Sequence, residues 1–166
     1  MGGAMSAPHV VRGAVAADQA AVQTMNNAAV PNVNALEAHE WTWLVAHAAY
    51  FRVCEDAEGV AGFVLCLPSD VEYWSENHKW FLARYDAFLY LDRVVVAERA
   101  RGQGLGALLY ADLHAFAAGR WPCVTLEVNL EPPNPGSVRF HERLGYARVG
   151  VREYGEKAVA MFVRAV

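Results

Sequence analysis

The sequence predicts a mixed α/β fold in which strands and helices interleave along one chain. Apolar residues recur with a period of two in some segments and at three- and four-residue intervals in others. Glycine and proline mark most of the boundaries between these segments. The chain has 166 residues, of which 55% are hydrophobic and 19% charged, and this is enough for one sizeable core. We therefore predict a single domain over residues 1–166.

The first half of the chain predicts a strand, two helices and a hairpin. Asp18 begins the first helical run, and Pro31 follows its end. The hairpin turns at Glu58-Gly59. In chain order the elements are a strand over 9–15, a helix from 18 to about 30, a helix over 35–49, and strands over 50–55 and 60–67.

Residues 68–85 fit neither periodicity and receive no assignment. The segment combines aromatic rings, Tyr73, Trp74 and Trp80, with several acidic side chains. Such rings can hold a cationic amine, or they can cover a sheet face or a dimer contact. A homodimer is therefore one possible assembly of this chain.

The second half predicts a strand over 88–97, a helix from about 105 to 118, a strand over 124–130, a short helix from Pro135, and strands over 147–152 and 158–163. Asn134 is placed to cap the short helix, and Gly145 closes it. On the strand over 124–130, Glu127 belongs to the polar face.

The turn between the strand over 88–97 and its helix has the composition of an anion site. Gly102, Gly104 and Gly106 let backbone N–H groups approach a bound anion closely. The helix that follows adds a partial positive charge. Arg99 and Arg101 flank the turn and can bond phosphate oxygens. A diphosphate is therefore the predicted ligand.

Two common diphosphate motifs are excluded by their sequence rules. A P-loop needs Gly-Lys-Ser/Thr after the turn, where this chain has Gly106-Ala107-Leu108. A dinucleotide fold needs its glycine motif after the first strand of a βαβ unit, whereas this turn follows the fourth predicted strand.

Charge and composition exclude several partners. The net charge is −4 and the basic residues are scattered, so we expect no nucleic-acid partner. The start at 1–6 lacks a leader pattern and no apolar stretch is long enough to span a membrane, so we expect a cytoplasmic protein without membrane contact. Cys54, Cys66 and Cys123 have no metal-ligand spacing, and we expect buried thiols and no metal.

With these residues in place, the chain resembles the GCN5-related N-acetyltransferase (GNAT) superfamily. The superfamily signature Gln/Arg-x-x-Gly-x-Gly/Ala is met by Arg101, Gly104 and Gly106. The run from Arg12 to Asp18 looks like the family's first strand and helix start, and the run from Asn134 to Tyr146 looks like its second cofactor motif. The resemblance implies a mostly antiparallel sheet flanked by about four helices, with its fourth and fifth strands splayed.

The resemblance also implies acetyl-CoA as co-substrate. The backbone of Val94, Val95 and Val96 would pair with the pantetheine arm, and the N–H of Val96 would stabilise an oxyanion. The residues then predicted to bind the cofactor are Val94, Val95, Val96, Arg99, Arg101, Gly102, Gln103, Gly104, Leu105, Gly106, Asn134, Ser137 and His141.

Three residues are candidates for proton transfer. Glu127 is the first candidate for the general base, and Asp92 is its rival; as alternatives, Glu127 would be a solvated charge and Asp92 would pair with Arg93 or Arg99. His141 stands where the family usually has the tyrosine that protonates the leaving thiolate, so it is the candidate acid. The alternative for His141 is a packing role.

The implied reaction is direct attack by a neutral amine on acyl-CoA in a ternary complex. We expect a small-molecule amine rather than a protein N-terminus as the acceptor. The alternative function is a non-catalytic acyl-CoA-binding or regulatory module, because cofactor recognition is more visible in the sequence than acid–base residues. A third alternative is a structural subunit whose aromatic segment docks a partner.

Overall fold

The structure is a computed structural model, and it describes residues His9–Val166. The strands are β1 (Val10–Gly13), β2 (Tyr50–Asp56), β3 (Gly59–Pro68), β4 (Leu89–Val96), β5 (Cys123–Glu131), β6 (Ala147–Tyr154) and β7 (Lys157–Ala165). The α-helices are α1 (Gln19–Ala28), α2 (Ala38–His47), α3 (Glu76–Leu82), α4 (Leu105–Ala117) and α5 (Pro135–Arg143).

The seven strands form one sheet in the order β1-β2-β3-β4-β5-β7-β6. β1 is antiparallel to β2, and β7 is antiparallel to both β5 and β6, whereas β4 and β5 run parallel. The mixed α/β fold and its mostly antiparallel sheet are therefore confirmed.

The main departure from the predicted elements is α3, a short helix inside the segment 68–85, which raises the number of α-helices within residues 9–166 to five. Ser75 caps it, with its hydroxyl accepting a hydrogen bond from the N–H of His78. The helix spans seven residues, which is just under two turns. An apolar spacing of three or four residues hardly repeats over that length. Its periodicity was therefore too short to be visible in the sequence.

The chain divides into two compact units. The first contains the described residues up to Leu65 together with Arg93–Leu113. Its core packs α1 and α2 against the strands through Val22, Trp41, Val53, Phe63 and Val95. Arg12 forms an ion pair of 2.8 Å with Asp18, whose carboxylate also accepts from the N–H of Val15. This pair joins β1 to the turn that precedes α1.

The second unit contains Cys66–Asp92 and His114–Val166. The ring of Trp80 on α3 lies over Gly150 of β6, where a Cβ atom would come within 2.5 Å of the ring. Glycine is therefore required at this position for α3 to pack on the strand. The single domain that the chain length predicts stays a prediction.

The three cysteines are buried and free, as expected. Within residues 9–166, no helix combines the length and apolarity needed to cross a bilayer. The predicted leader-free start at 1–6 lies outside the described residues.

Candidate active site

The glycine turn before α4 has the backbone that its sequence suggested. Gly102 and Gly104 have φ of +76° and +79°, values that favour glycine over any residue with a Cβ atom. Both are exposed, and no other atom lies within 4 Å of the position that a Cβ atom would take. α4 begins immediately after them at Leu105. The turn thus presents open backbone at a helix N-terminus, which is the arrangement that anions bind.

The two arginines beside the turn differ in their partners. Arg99 forms ion pairs with Asp56 and, at 2.9 Å, with Glu58, and these carboxylates raise its pKa. Arg101 is exposed and forms no ion pair with any of the residues described. Arg101 is therefore the readier partner for a phosphate.

A cleft of about 470 Å³ lies beside the turn, between α1 and the end of β4. This volume is in the range of small-ligand sites. Its lining includes Val95, Val96, Arg99 and Arg101. Four of the predicted cofactor residues therefore border one cleft in the first unit.

The end of β4 offers a backbone donor at one edge. The N–H of Ala97 donates to the carbonyl of Ala61 on β3 at 2.8 Å. Because successive N–H groups of a strand point to opposite edges, the N–H of Val96 points away from β3. This is the donor predicted to stabilise an oxyanion.

In the second unit, the parallel pairing of β4 with β5 is short. Its register contains two pairs, Leu89 with Val124 and Tyr90 with Thr125. Asp92 on β4 and Glu127 on β5 lie two residues beyond the last pair and are only partly buried. Their carboxylates therefore lie beyond the part of β4 that pairs with β5.

Glu127 is bonded by the phenol of Tyr90, whose oxygen lies 2.7 Å from Oε2 and 2.9 Å from Oε1. Desolvation raises the pKa of Glu127 to about 7; the charge of Asp92 adds to the rise, and hydrogen bonds from Tyr90 and Asn77 oppose it. A carboxylate with this pKa can take up a proton near neutral pH.

Asp92 accepts a hydrogen bond of 2.5 Å from the phenol of Tyr73. His78 lies beside this pair, with its ring at right angles to that of Tyr90. Burial lowers the pKa of His78, and its Nε2 lies 3.1 Å from the carbonyl of Pro68. Because that carbonyl can only accept, we assign the proton to Nε2 of a neutral ring.

The α5 region has the predicted cap. The Asn134 side chain accepts a hydrogen bond from the N–H of Ser137 at 3.3 Å, which fixes the N-terminus of the helix. One turn later, Nδ1 of His141 lies 2.7 Å from the Ser137 carbonyl. His141 is 6% exposed, and burial lowers its pKa.

A match to a protein-family model shows which family the chain belongs to. The model of the Acetyltransferase (GNAT) family matches residues 20–146, a span that holds the glycine turn, both carboxylate–phenol pairs and the capped α5. The chain belongs to the GNAT family.

Solved structures share the fold of this GNAT chain at low identity. NAA60 of Arabidopsis thaliana in complex with acetyl-CoA is 17% identical, with a TM-score of 0.76 over 96% of this chain and 100% of that one. Naa50 of Arabidopsis thaliana in complex with the bisubstrate analogue CoA-Ac-MVNAL is 12% identical, with a TM-score of 0.73 over 95% and 99%. The ribosomal-protein-S18-alanine N-acetyltransferase of Escherichia coli is 15% identical, with a TM-score of 0.69 over 95% and 94%. No curated protein sequence matches the chain.

The predicted residues of the GNAT chain fall into three groups. Those at the turn and at the end of β4 lie together in the first unit, from Val94 to Gly106. Glu127 and Asp92 lie on neighbouring strands of the second unit, and Asn134, Ser137 and His141 lie on or next to α5. Asp92 accepts a hydrogen bond from Tyr73.

Sequence reasoning gave no role to three residues of the second unit, Asn77, Tyr90 and Arg152, and it considered Tyr73 only as a ring that could hold an amine or cover a surface. Alternation along β4 does place Tyr90 on the same face as Asp92. The signal for Asn77 was Ser75, an N-cap residue followed by Glu76 in the first helical turn. No local pattern indicates Arg152, because its partner Asn77 is distant in the chain.

An exposed group on α2 also brings ligand-type atoms together. Glu37, His39 and Glu40 place one ligand atom each within 4.8 Å of the others. Glu40 accepts a hydrogen bond of 3.2 Å from the N–H of Glu37, which is a helix-capping contact. This cluster is explained by the N-terminus of α2.

Proposed function

We propose that this GNAT chain transfers an acetyl or short acyl group from acyl-CoA to a primary amine, with Glu127 as the general base. The observation that carries the proposal is the placement of Glu127. Its carboxylate lies just beyond the last β4–β5 pair, is partly accessible, and has its pKa raised to about 7.

Acetyl-CoA is the co-substrate we propose, and the glycine turn is the part of the chain that fits it. Open backbone at Gly102 and Gly104, the start of α4 and the exposed Arg101 suit a pyrophosphate. The acetyl-CoA bound in the NAA60 structure, which shares this fold, supports the choice. The proposed roles of Asn134 and Ser137 toward the cofactor arm add to this site.

In the proposed reaction, the amine nitrogen attacks the thioester carbonyl carbon and forms the amide bond. The N–H of Val96 stabilises the oxyanion, and the C–S bond then breaks to release the thiolate. The proton lost by the amine passes to Glu127. Burial raises the pKa of Cys54, Cys66 and Cys123, so none of them is ionised for a covalent route.

The pKa of Glu127 favours an α-amine over a lysine side chain as the acceptor. An α-amino group has a pKa of about 7.7–8.0, so its proton moves to a group with a pKa of about 7 at a cost of about 1 kcal/mol. A lysine amine, with a pKa of about 10.4, would cost about 5 kcal/mol. Either a small molecule with an α-amine or a peptide N-terminus meets this condition, and the sequence favoured a small-molecule amine without specifying its kind. The peptide portion of the analogue bound to Naa50 supports the second.

Asp92 and His141 are less suited to proton transfer. Asp92 and Glu127 each accept a hydrogen bond from a phenol, and we prefer Glu127 because desolvation raises its pKa to about 7. Nδ1 of His141 lies 2.7 Å from a carbonyl that can only accept, so the proton sits on Nδ1 and the buried ring is neutral. We propose a packing and orienting role for His141, with the thiolate taking its proton from solvent.

Release of the CoA thiol from acetyl-CoA tests the proposal, across a panel of amino-acid amides, short peptides and lysine-like amines. We expect Glu127→Gln to lower turnover at least about 100-fold, the usual contribution of a general base. Glu131→Gln is the matched control, because Glu131 is exposed at the end of the same strand. Full turnover in Glu127→Gln would refute the assignment of the base.

A thermal-shift measurement with acetyl-CoA separates the enzyme from the alternative functions. We expect acetyl-CoA to raise the Tm of the wild type but not of Gly104→Glu, which places a carboxylate in the cradle. Gly155→Glu is the matched control, since Gly155 also has a positive φ, of +62°, and no close neighbours. Binding without turnover on any amine would favour the acyl-CoA-binding module, and no binding would favour a structural subunit.

A further inference from the structure

A buried arginine of β4 forms hydrogen bonds with two asparagines that lie outside the sheet. Arg93 is 3% exposed, and its Nη1 donates a hydrogen bond of 2.9 Å to Oδ1 of Asn26 on α1. Nη1 also donates to the backbone carbonyl of Asn34 at 3.2 Å, and Nη2 donates to Oδ1 of Asn34 at 3.1 Å. The NH2 group of Asn26 donates to the same Asn34 carbonyl at 3.2 Å. These three residues form the Arg93 link.

The Arg93 link joins the two walls of the cleft beside the glycine turn. Asn26 lies on α1 between Met25 and Ala28, which line the cleft on one side. Arg93 lies two residues before Val95, which lines the cleft from β4. Residues i and i+2 of a strand share a face, and Val95 belongs to the core on which α1 packs. The link therefore fixes the distance between α1 and β4.

The chemistry of the link favours a role in geometry over a role in stability. The guanidinium of an arginine stays charged in proteins, and its hydrogen bonds roughly offset the cost of desolvating it. Apolar side chains of similar volume can often replace buried charged groups without loss of stability. Hydrogen bonds, in contrast to apolar contacts, have a preferred distance and angle. The link thus holds α1 in one position on β4.

We propose that Arg93 is a positioning residue for the cofactor: through Asn26 and Asn34 it holds α1 at the distance from β4 at which the cleft admits acetyl-CoA. Arg93 does not line the cleft itself, so it acts through α1. This inference rests on the acetyl-CoA binding of the proposed function, and it is independent of the role of Glu127.

The test compares Arg93→Met and the double variant Arg93→Met/Asn26→Leu with the wild type. The double variant replaces the buried polar pair by apolar side chains of similar size, so that no polar atom of the pair is left unsatisfied. Isothermal titration calorimetry gives the dissociation constant of acetyl-CoA, thiol release with the best acceptor amine gives kcat and KM, and thermal unfolding gives Tm.

The matched control is Arg52→Met. Arg52 belongs to the same unit as Arg93, and its guanidinium also bonds a side chain of another element, Asp112 of α4, at 3.1 Å. Neither Arg52 nor Asp112 lines the cleft. The control therefore removes a buried arginine contact without changing the wall formed by α1.

We expect the dissociation constant of acetyl-CoA to rise about 10-fold in both Arg93 variants and to stay unchanged in Arg52→Met. A 10-fold rise is the result when α1 occupies its binding position for about a tenth of the time in the free protein. At saturating acetyl-CoA, kcat should stay within about 3-fold of the wild type, because bound cofactor restores that position. Hydrogen exchange at the α1 amides should become faster in both variants.

An unchanged dissociation constant in the double variant overturns the proposal, whatever its Tm, because a merely structural role lowers Tm and leaves the affinity of the folded protein intact. A loss of kcat at unchanged KM overturns it as well. The calorimetry needs no turnover, so a wild type that binds acetyl-CoA without transferring the acetyl group contradicts the proposed reaction and leaves this test in force. A wild type that does not bind acetyl-CoA contradicts both.

A second pair of variants keeps the proposal testable if the Arg93 variants do not fold. Asn34→Ala removes the Oδ1 acceptor of the link and should also raise the dissociation constant. Asn34→Asp keeps an acceptor at that position and should restore the affinity of the wild type. Equal affinities in Asn34→Ala and the wild type would contradict the proposal.

Discussion

Replacing Glu127 by glutamine should stabilise the protein at neutral and alkaline pH while it removes activity. Desolvation raises the pKa of Glu127 from 4.5 to about 7 in the folded state. Between these two values the unfolded chain loses the proton and the folded chain keeps it. Ionisation therefore favours the unfolded state, and the penalty grows as pH rises from about 4.5 and is complete above about 7.

The size of this effect follows from the difference between the two pKa values. About 2.5 pH units, at 1.36 kcal/mol for each, correspond to about 3 kcal/mol of lost stability above pH 7. Glutamine has nearly the same shape and carries no charge, so it removes this penalty. For a chain of this length the gain corresponds to a rise in Tm of about 6–12 °C.

The measurement is thermal or urea unfolding of wild type and Glu127→Gln at pH values from 4 to 8.5. We expect the two proteins to coincide near pH 4 and to separate progressively above it. Glu131→Gln, at an exposed position of β5, should follow the wild type throughout. A Glu127→Gln variant that is no more stable than the wild type at pH 8 would refute the reasoning from desolvation.

Two further predictions concern other contacts. Because Arg12 and the Val15 N–H lower the pKa of Asp18, its contribution to stability should be present above about pH 4 and disappear as pH falls further. Asp18→Asn should therefore cost about 1–3 kcal/mol at pH 7, and this cost should decrease as the pH falls below about 4, as measured by urea unfolding. Gly150→Ala should destabilise by about 1–3 kcal/mol because of its contact with Trp80; Trp80→Leu should lessen that cost in a double-mutant cycle, and equal costs in both backgrounds would contradict the contact.

The parts of the fold that the sequence predicts well are those that depend on local patterns. The glycine turn between β4 and α4 needs only a positive φ at Gly102 and Gly104 and an apolar run on either side. The cap of α5 needs only Asn134 before Pro135. In both places the deciding residues are neighbours in the chain, so their pattern is visible in one sequence.

The parts that the sequence does not predict depend on contacts between distant residues. Asp92 accepts a hydrogen bond from Tyr73, an uncharged residue 19 positions away in the chain, and no local pattern indicates this contact. The contact of Asn77 with Arg152 needs the short α3 and joins residues 75 positions apart in the chain.

The ion pairs of Arg99 with Asp56 and Glu58 have a consequence for how the glycine turn responds to dissolved salt. These two carboxylates neutralise the guanidinium beside the turn. The field at the turn then comes mainly from Arg101 and from the backbone dipoles of α4, and dipoles at direct contact are little screened by mobile ions. Affinity of the turn for a diphosphate should therefore decrease only slightly as the ionic strength increases.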